Sequence, residues 1–218
     1  MGKTELAGAL VETGIIAAVR MPDEQQLRRA VAALVEGGIR AVELSYATVQ
    51  STGWLIHALK ENGVLVGAGA LTRSSQAREA GMYGADFITS CVISPDVVSA
   101  CEEMDIPCIL TGLTPTEVWR AHEMKADFVK IAAAEALGGP QYVRSLREAL
   151  PAQHLVVAGT PLDGYLSYLE AGVEVLEFKD SLALPELVER EEWAEISRRA
   201  LKIVSTLDDW RASRKPHI

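Results

Sequence analysis

Eight short apolar runs alternate with longer amphipathic segments along this chain of 218 residues, and this pattern constrains its fold more than any other feature. Each run has the length of a buried strand, and the segments between the runs repeat apolar residues with helical spacing. In the segment 23–35, for example, Leu27, Ala30, Val31 and Leu34 stand at i, i+3, i+4 and i+7. The eight predicted strands are 15–20, 41–46, 64–70, 86–90, 107–110, 127–132, 154–158 and 173–178.

Buried strands that alternate with helices form parallel sheets whose two faces are both covered. Eight such units within 218 residues predict an α/β fold of the (β/α)8 TIM-barrel type. A doubly wound open sheet is the alternative that the same pattern allows. We expect an additional N-terminal helix at about 3–12. Because no linker interrupts the pattern, we expect a single barrel domain over 1–218, with its strands and helices at about 14–205.

Composition limits the partners of the chain. The formal net charge of −9 argues against a general nucleic-acid binder, although a locally positive site could still take an anion. No apolar run approaches the ~18 residues of a membrane span, and residues 1–11 carry charges where a signal peptide would be apolar. Three cysteines without CxxC spacing fit a reducing cytoplasm, and four histidines show no metal-binding motif. We therefore expect a cytoplasmic protein that uses no metal and binds no membrane.

Lys130 stands late in the sixth predicted strand, inside the apolar stretch ADFVKIAAAE. The carboxyl ends of barrel strands form the active-site face, so this lysine would lie partly desolvated in the site. Burial lowers the pKa of an ammonium group, and a neutral amine attacks carbonyl compounds to form a Schiff base. The alternatives are a lysine that extends to solvent at the barrel rim and one that pairs with Glu135.

Arg20 closes the first predicted strand, and Glu43 lies in the middle of the second. Strand alternation places Glu43 on the inward face of AVELSY, where a buried carboxyl group could transfer protons. Arg20 ends the strand IIAAVR, and its guanidinium suits a substrate carboxylate or phosphate. The alternatives are a structural carboxylate paired with Arg20 or Lys130, and a salt bridge at the rim.

Further candidates follow the third, seventh and eighth strands. Gly69, in VGAGALT, would let a ligand approach the backbone amides closely. The ends of the last two strands hold a phosphate group in many barrels. Amides, hydroxyls and a positive charge are available there from Gly159, Thr160, Lys179 and Ser181, unless these residues form ordinary turns.

Together these segments resemble a known family. The order AAVR, GGIRAVELSYAT, VGAGALT, GADFITS, TGLTPTE and VKIAAAEALGGPQYV is similar to that of the 2-keto-3-deoxy-6-phosphogluconate (KDPG) and 4-hydroxy-2-oxoglutarate (KHG) aldolases, over about residues 10–185. The most specific element is a lysine followed by Ala-Glu and then by Gly-Gly, here Lys130, Ala134, Glu135, Gly138 and Gly139.

The resemblance implies a class I aldolase, a lyase of carbohydrate metabolism that needs no metal and is commonly a homotrimer. It implies that Lys130 forms the Schiff base with pyruvate, that Glu43 shuttles protons and that Arg20 contacts the substrate. The expected reaction is cleavage of a small keto acid, KDPG in the first place, to pyruvate and an aldehyde, without a cofactor beyond the lysine imine.

The chain departs from the family pattern at the ligand-binding turns. Gly69 is followed by Ala70 where the family has threonine, so Thr72 is the nearest hydroxyl for the substrate. The family's Pro-Thr-Gly-Gly reads Val-Ala-Gly-Thr at 157–160, and its Gly-Gly-Ser reads Lys-Asp-Ser at 179–181. Two alternatives to a phosphorylated substrate therefore remain open. One is an aldolase for an unphosphorylated substrate such as 4-hydroxy-2-oxoglutarate, and the other is a barrel that binds a keto acid or sugar phosphate without turnover.

Overall fold

A computed structural model describes residues 1–214, so Lys215 and His217 lie outside the described residues. The strands are β1 Ile15–Val19, β2 Ala41–Ser45, β3 Leu65–Leu71, β4 Phe87–Ser90, β5 Cys108–Thr111, β6 Phe128–Ala132, β7 Leu155–Ala158 and β8 Val175–Phe178. The helices are α1 Lys3–Thr13, α2 Glu24–Glu36, α3 Tyr46–Ser51, α4 Gly53–Glu61, α5 Ser74–Met82, α6 Pro95–Glu103, α7 Pro115–Glu123, α8 Gly139–Ala149, α9 Leu166–Glu170, α10 Pro185–Glu189 and α11 Trp193–Ser213, with a 3-10 turn at Ala134–Leu137.

The eight strands form a closed parallel barrel in the order β1 to β8, with β8 paired to β1. The predicted (β/α)8 barrel and its extra N-terminal helix are therefore confirmed, and the open sheet is excluded. Every predicted strand overlaps an observed one, with ends that differ by one or two residues. The assignment of the whole chain to one domain stays a prediction, because its last four residues lie outside the described part.

Local sequence signals explain where the helices begin. The Asp23 side chain accepts a hydrogen bond from the Gln26 amide and caps α2. Ser94 caps α6 in the same way, and Thr114 forms a capping box with Glu117 at the start of α7. Proline follows each of these two caps at the first helical turn, where its missing amide hydrogen is not needed.

The amino-terminal half of the barrel interior is apolar. A cluster of buried side chains fills it, drawn from seven strands and from α1: Leu10, Ile16, Ala41, Phe87, Ile109, Phe128, Val156 and Val175. Leu10 belongs to α1 and is 1 % exposed, so the N-terminal helix closes this end of the barrel. A Cβ atom on Gly67 would lie 2.1 Å from the Phe87 ring, which explains why a residue without a side chain stands there.

The carboxyl-terminal half of the interior is polar. Strand alternation carries the inward face of β2 from Ala41 to Glu43, that of β6 from Phe128 to Lys130 and that of β8 from Val175 to Glu177. Each of these strands therefore contributes one apolar side chain to the closed end and one charged side chain to the open end. This arrangement places ionisable groups at the end where barrel enzymes bind their substrates.

Candidate active site

Lys130 lies inside the carboxyl-terminal half of the barrel and is 7 % exposed. Its Nζ donates hydrogen bonds to Glu43 Oε2, 3.1 Å away, and to Glu177 Oε2, 2.6 Å away. Glu135, the alternative partner considered from the sequence, instead accepts a hydrogen bond from the Tyr168 hydroxyl at 2.5 Å. The lysine is therefore neither a rim residue nor a partner of Glu135.

Glu43 stands between two cations. Its second carboxylate oxygen, Oε1, forms an ion pair with the Arg20 guanidinium, and Arg20 also donates to the Glu43 carbonyl oxygen at 2.8 Å. Glu43 is 1 % exposed and points inward, as strand alternation predicts. Arg20 is thus oriented by contacts within the protein, and it holds Glu43 on the side opposite to Lys130.

Glu177 is a second inward carboxylate that the sequence analysis missed. It is fully buried in β8, and its Oε1 has no hydrogen-bond partner within residues 1–214. The signal was present, because Glu177 interrupts the apolar strand VLEF just as Glu43 interrupts AVELS. Thr89 was missed as well. Its buried Oγ1 also lacks a partner among the described residues, and Thr89 lines the cavity that Lys130 and Glu177 line.

The two carboxylates change the electrostatics expected for the lysine. Burial acts to lower the pKa of Lys130, but the charges of Glu43 and Glu177 outweigh it, so the pKa is raised. The lowered pKa of Lys130 that burial alone predicted is therefore wrong. An ammonium group between two carboxylates has to lose a proton before it can act as a nucleophile.

The two carboxylates differ from each other. Burial opposes the ionisation of Glu43, yet Lys130 and Arg20 together lower its pKa to about 2. Burial and the nearby charge of Glu43 raise the pKa of Glu177, and Lys130 offsets this only in part. One site therefore contains a firmly ionised carboxylate and another that accepts a proton more readily.

The site opens into a cavity of about 440 Å³ at the carboxyl ends of the strands. Arg20, Glu43, Lys130 and Lys179, four residues singled out from the sequence, line it together with Glu177. Gly69 belongs to the same place, because a Cβ atom there would lie 1.9 Å from Glu43 Oε1. Residues from all eight strands thus converge on one space, as expected for a barrel active site.

The remaining predicted residues, Thr72, Gly159, Thr160 and Ser181, do not line this cavity. Gly159 is exposed after β7 with φ +73°. The Thr160 hydroxyl donates to the Val157 carbonyl at 3.1 Å, and the Ser181 hydroxyl donates to the Thr160 carbonyl at 3.3 Å, so both bond to the backbone. Thr72 is exposed after β3, and its amide donates to the Gln76 side chain at 3.0 Å.

Residues 1–214 show neither a metal-binding cluster nor a membrane-spanning helix. No three histidine, cysteine, aspartate or glutamate side chains of this described part are grouped so that they could hold a metal ion. None of the helices that the structure describes is long and apolar enough to cross a membrane.

A closed parallel eight-stranded barrel with ionisable side chains gathered at the carboxyl ends of its strands defines the class of (β/α)8-barrel enzymes. The family model for the KDPG and KHG aldolases matches residues 7–199, and the chain belongs to this family. It is therefore an aldolase, a lyase, as the sequence predicts. The expected reaction type, cleavage of a 4-hydroxy-2-oxo acid to pyruvate and an aldehyde, agrees with this membership.

Individual relatives agree with this assignment. A 2-dehydro-3-deoxy-phosphogluconate aldolase of Treponema pallidum is 33 % identical over 147 residues, which cover 66 % of this chain and 68 % of that protein. A 2-dehydro-3-deoxy-6-phosphogalactonate aldolase of Escherichia coli is 28 % identical over 156 residues, 69 % and 74 % of the two chains. The crystal structure of the Legionella pneumophila KDPG aldolase, with pyruvate captured as a covalent carbinolamine, superposes with a TM-score of 0.81 at 19 % identity over 90 % and 97 % of the chains.

Proposed function

We propose that Lys130 is the imine-forming residue of this aldolase and that Glu43 transfers the protons of the carbon–carbon bond cleavage. The observation that carries the proposal is the position of the Lys130 Nζ, buried at the open end of the barrel and 3.1 Å from Glu43 Oε2. An amine and a carboxylate in contact at the base of a cavity can act on the same substrate without rearrangement.

The reaction follows from these two groups. Once deprotonated, the Lys130 amine attacks the 2-keto carbon, and loss of water gives a protonated imine. The imine withdraws electrons from the C3–C4 bond, while the Glu43 carboxylate takes the proton of the C4 hydroxyl. The bond then breaks, the aldehyde leaves, and Glu43 returns the proton to C3 of the enamine. Hydrolysis of the pyruvyl imine releases pyruvate and restores the lysine.

Arg20 supports this reaction through Glu43. Its ion pair with Oε1 keeps the carboxylate ionised and orients Oε2 toward Lys130. Because Arg20 is exposed at the cavity wall, we also assign it a contact with the substrate carboxylate. Because Gly69 has no side chain, Glu43 and Arg20 can occupy the space beside it. The Thr89 hydroxyl is available to a substrate oxygen.

The first substrate to test is KDPG, the substrate in the family name. Lys179 supplies a positive charge at the mouth of the cavity. Gly159 and Ser181 directly follow two residues that line the cavity, Ala158 and Asp180. We propose that these residues, with Thr160, form the subsite for the distal end of the substrate. Thr72 would contribute only after its contact with Gln76 is broken.

An unphosphorylated substrate, such as 4-hydroxy-2-oxoglutarate, is the second candidate, and one observation favours it. Three cations and three carboxylates line the cavity: Arg20, Lys130, Lys179, Glu43, Glu177 and Asp180. This balance gives a phosphate dianion less attraction than a positively charged subsite would. Comparing kcat/KM for the two substrates, with pyruvate release coupled to NADH oxidation, decides between them. Absence of turnover with both would favour the barrel that binds without catalysis.

We propose further that the enzyme needs no metal and acts in the cytoplasm as a homotrimer. Imine chemistry requires no Lewis acid, so turnover should be the same with and without a chelator. Cys101 and Cys108 are free thiols in the core, in keeping with a reducing compartment. A trimer would have three times the 23.5 kDa of the chain, about 70 kDa, which sedimentation equilibrium measures directly.

A further inference from the structure

Glu177 approaches the reacting nitrogen more closely than Glu43 does. Its Oε2 lies 2.6 Å from the Lys130 Nζ, whereas Glu43 Oε2 lies 3.1 Å away. In the barrel order, β8 is two strands from β6 and two from β2. Glu177 therefore reaches the lysine from a different side than Glu43, which comes from the strand opposite β6.

The contacts of the two carboxylates suit them to different tasks. Glu43 has both oxygens bound by cations, one by Lys130 and one by Arg20. Glu177 has only Oε2 bound, by Lys130, and its Oε1 is buried without a partner among the described residues. A buried carboxylate with one counter-ion gains more from taking up a proton than one held by two.

From this geometry we infer that Glu177 is a catalytic residue that accepts the proton Lys130 must lose and later returns it to the departing hydroxyl group. The inference rests on the proposed imine at Lys130. It assigns imine formation to Glu177 and carbon–carbon bond cleavage to Glu43, so that two carboxylates divide the proton transfers of the cycle.

Each step balances. The Lys130 ammonium gives one proton to the Glu177 carboxylate, which leaves a neutral amine and a carboxylic acid. The amine nitrogen bonds to the 2-keto carbon, and its proton moves to the former carbonyl oxygen to give a neutral carbinolamine. Glu177 then protonates the carbinolamine hydroxyl, the C–O bond breaks, and water leaves. The products are a protonated imine and the Glu177 carboxylate.

The test separates imine formation from turnover. The enzyme is mixed with pyruvate for defined times, quenched with borohydride, and the covalent adduct is measured by intact mass. We expect Glu177→Gln to slow adduct formation by at least about 100-fold, the lower range for loss of a general acid–base group. Glu43→Gln should form the adduct at a rate within about threefold of wild type and lose turnover instead.

Two further measurements test the chemistry rather than the packing. In Glu177→Gln the rate of adduct formation should rise with pH, because hydroxide has to deprotonate the ammonium, whereas the wild-type rate should change less. The other ionisable groups that face the amine are Glu43, Arg20, Lys179, Asp180 and Cys91, and all remain in the variant. In Glu177→Ala, added formate should restore adduct formation in proportion to the formate concentration. This second variant keeps the test possible if Glu177→Gln does not fold.

Glu174→Gln is the matched control. Glu174 directly precedes β8 and binds Arg147 at 2.8 Å at the closed end of the barrel, so its loss should leave adduct formation unchanged. Adduct formation in Glu177→Gln within about threefold of wild type, or the absence of formate rescue, would overturn the inference while the imine on Lys130 stands. Failure of the wild-type enzyme to form any adduct would instead overturn the proposed function itself.

Discussion

Glu43 Oε2 and Lys130 Nζ lie 3.1 Å apart, although 87 residues separate them along the chain. Their strands, β2 and β6, stand opposite each other in the closed barrel, so the two side chains meet across its interior. The apolar layer below them excludes water from the closed end. The pair is therefore held between a packed core and an open cavity, the setting in which an amine and a carboxylate act together on a carbonyl compound.

Glu43→Gln should reduce turnover by about 100-fold or more while the pyruvyl imine still forms. The amide preserves the shape of the side chain but cannot accept the C4 hydroxyl proton, and general acid–base catalysis contributes at least this factor. Deuterium exchange into the methyl group of pyruvate, followed by NMR, isolates the enamine step and should slow by the same factor. An unchanged kcat would remove Glu43 from the proton transfer.

Gly69→Ala should abolish activity by displacing the side chains that face Lys130. A Cβ atom at position 69 would lie 1.9 Å from Glu43 Oε1 and 2.8 Å from an Arg20 nitrogen, distances that no real contact allows. Gly8→Ala in α1 is the control, because nothing lies within 4 Å of the Cβ it would add. That change should leave activity intact and raise stability by up to about 1 kcal/mol. Wild-type activity in Gly69→Ala would show that the Glu43 position is not required.

Glu43 should contribute to the loss of stability in acid. Its folded-state pKa of about 2 lies below the ~4.3 of an unfolded glutamate, so its stabilisation is present above the unfolded value and is lost as pH falls toward 2. Between pH 6 and pH 3 this amounts to about 2 kcal/mol. Urea unfolding at both pH values should show a smaller decrease in the free energy of unfolding for Glu43→Gln than for wild type. Equal decreases would contradict the lowered pKa.

Leu10→Ala should destabilise the fold without changing the chemistry. Leu10 is 1 % exposed and closes the amino-terminal end of the barrel, so its truncation should lower the free energy of unfolding by about 2–5 kcal/mol. Leu201, 57 % exposed on α11, is the matched control, and its truncation should cost less than about 0.5 kcal/mol. The rate of imine formation in folded Leu10→Ala should equal that of wild type, because the substitution lies at the opposite end from Lys130.

The sequence predicted the barrel because eight short, mainly apolar runs alternate with amphipathic helical segments. Side-chain alternation along the strand predicted that Glu43 points inward. The sequence analysis considered Arg20 and Lys130 as partners of Glu43, and both ion pairs are present. The ion pair of Lys130 with Glu177 was not predicted, since it depends on which strands lie close together once the barrel closes. Glu177 was missed for this reason, and without its charge the burial of Lys130 led to the wrong direction for the lysine pKa. The bonding of the Thr160 and Ser181 hydroxyls to the backbone depends on turn geometry that composition does not reveal.

Borohydride reduction in the presence of pyruvate, followed by peptide mass mapping, identifies the residue that forms the imine. We expect one reduced pyruvyl adduct per chain, located on Lys130, and no adduct at any lysine in Lys130→Ala. The nearby Lys179 is the internal control, because it lines the same cavity but is exposed. Unlike Lys130, it is not held between the two buried carboxylates. An adduct on Lys179, or trapping that persists in Lys130→Ala, would contradict the assignment of Lys130 as the imine-forming residue.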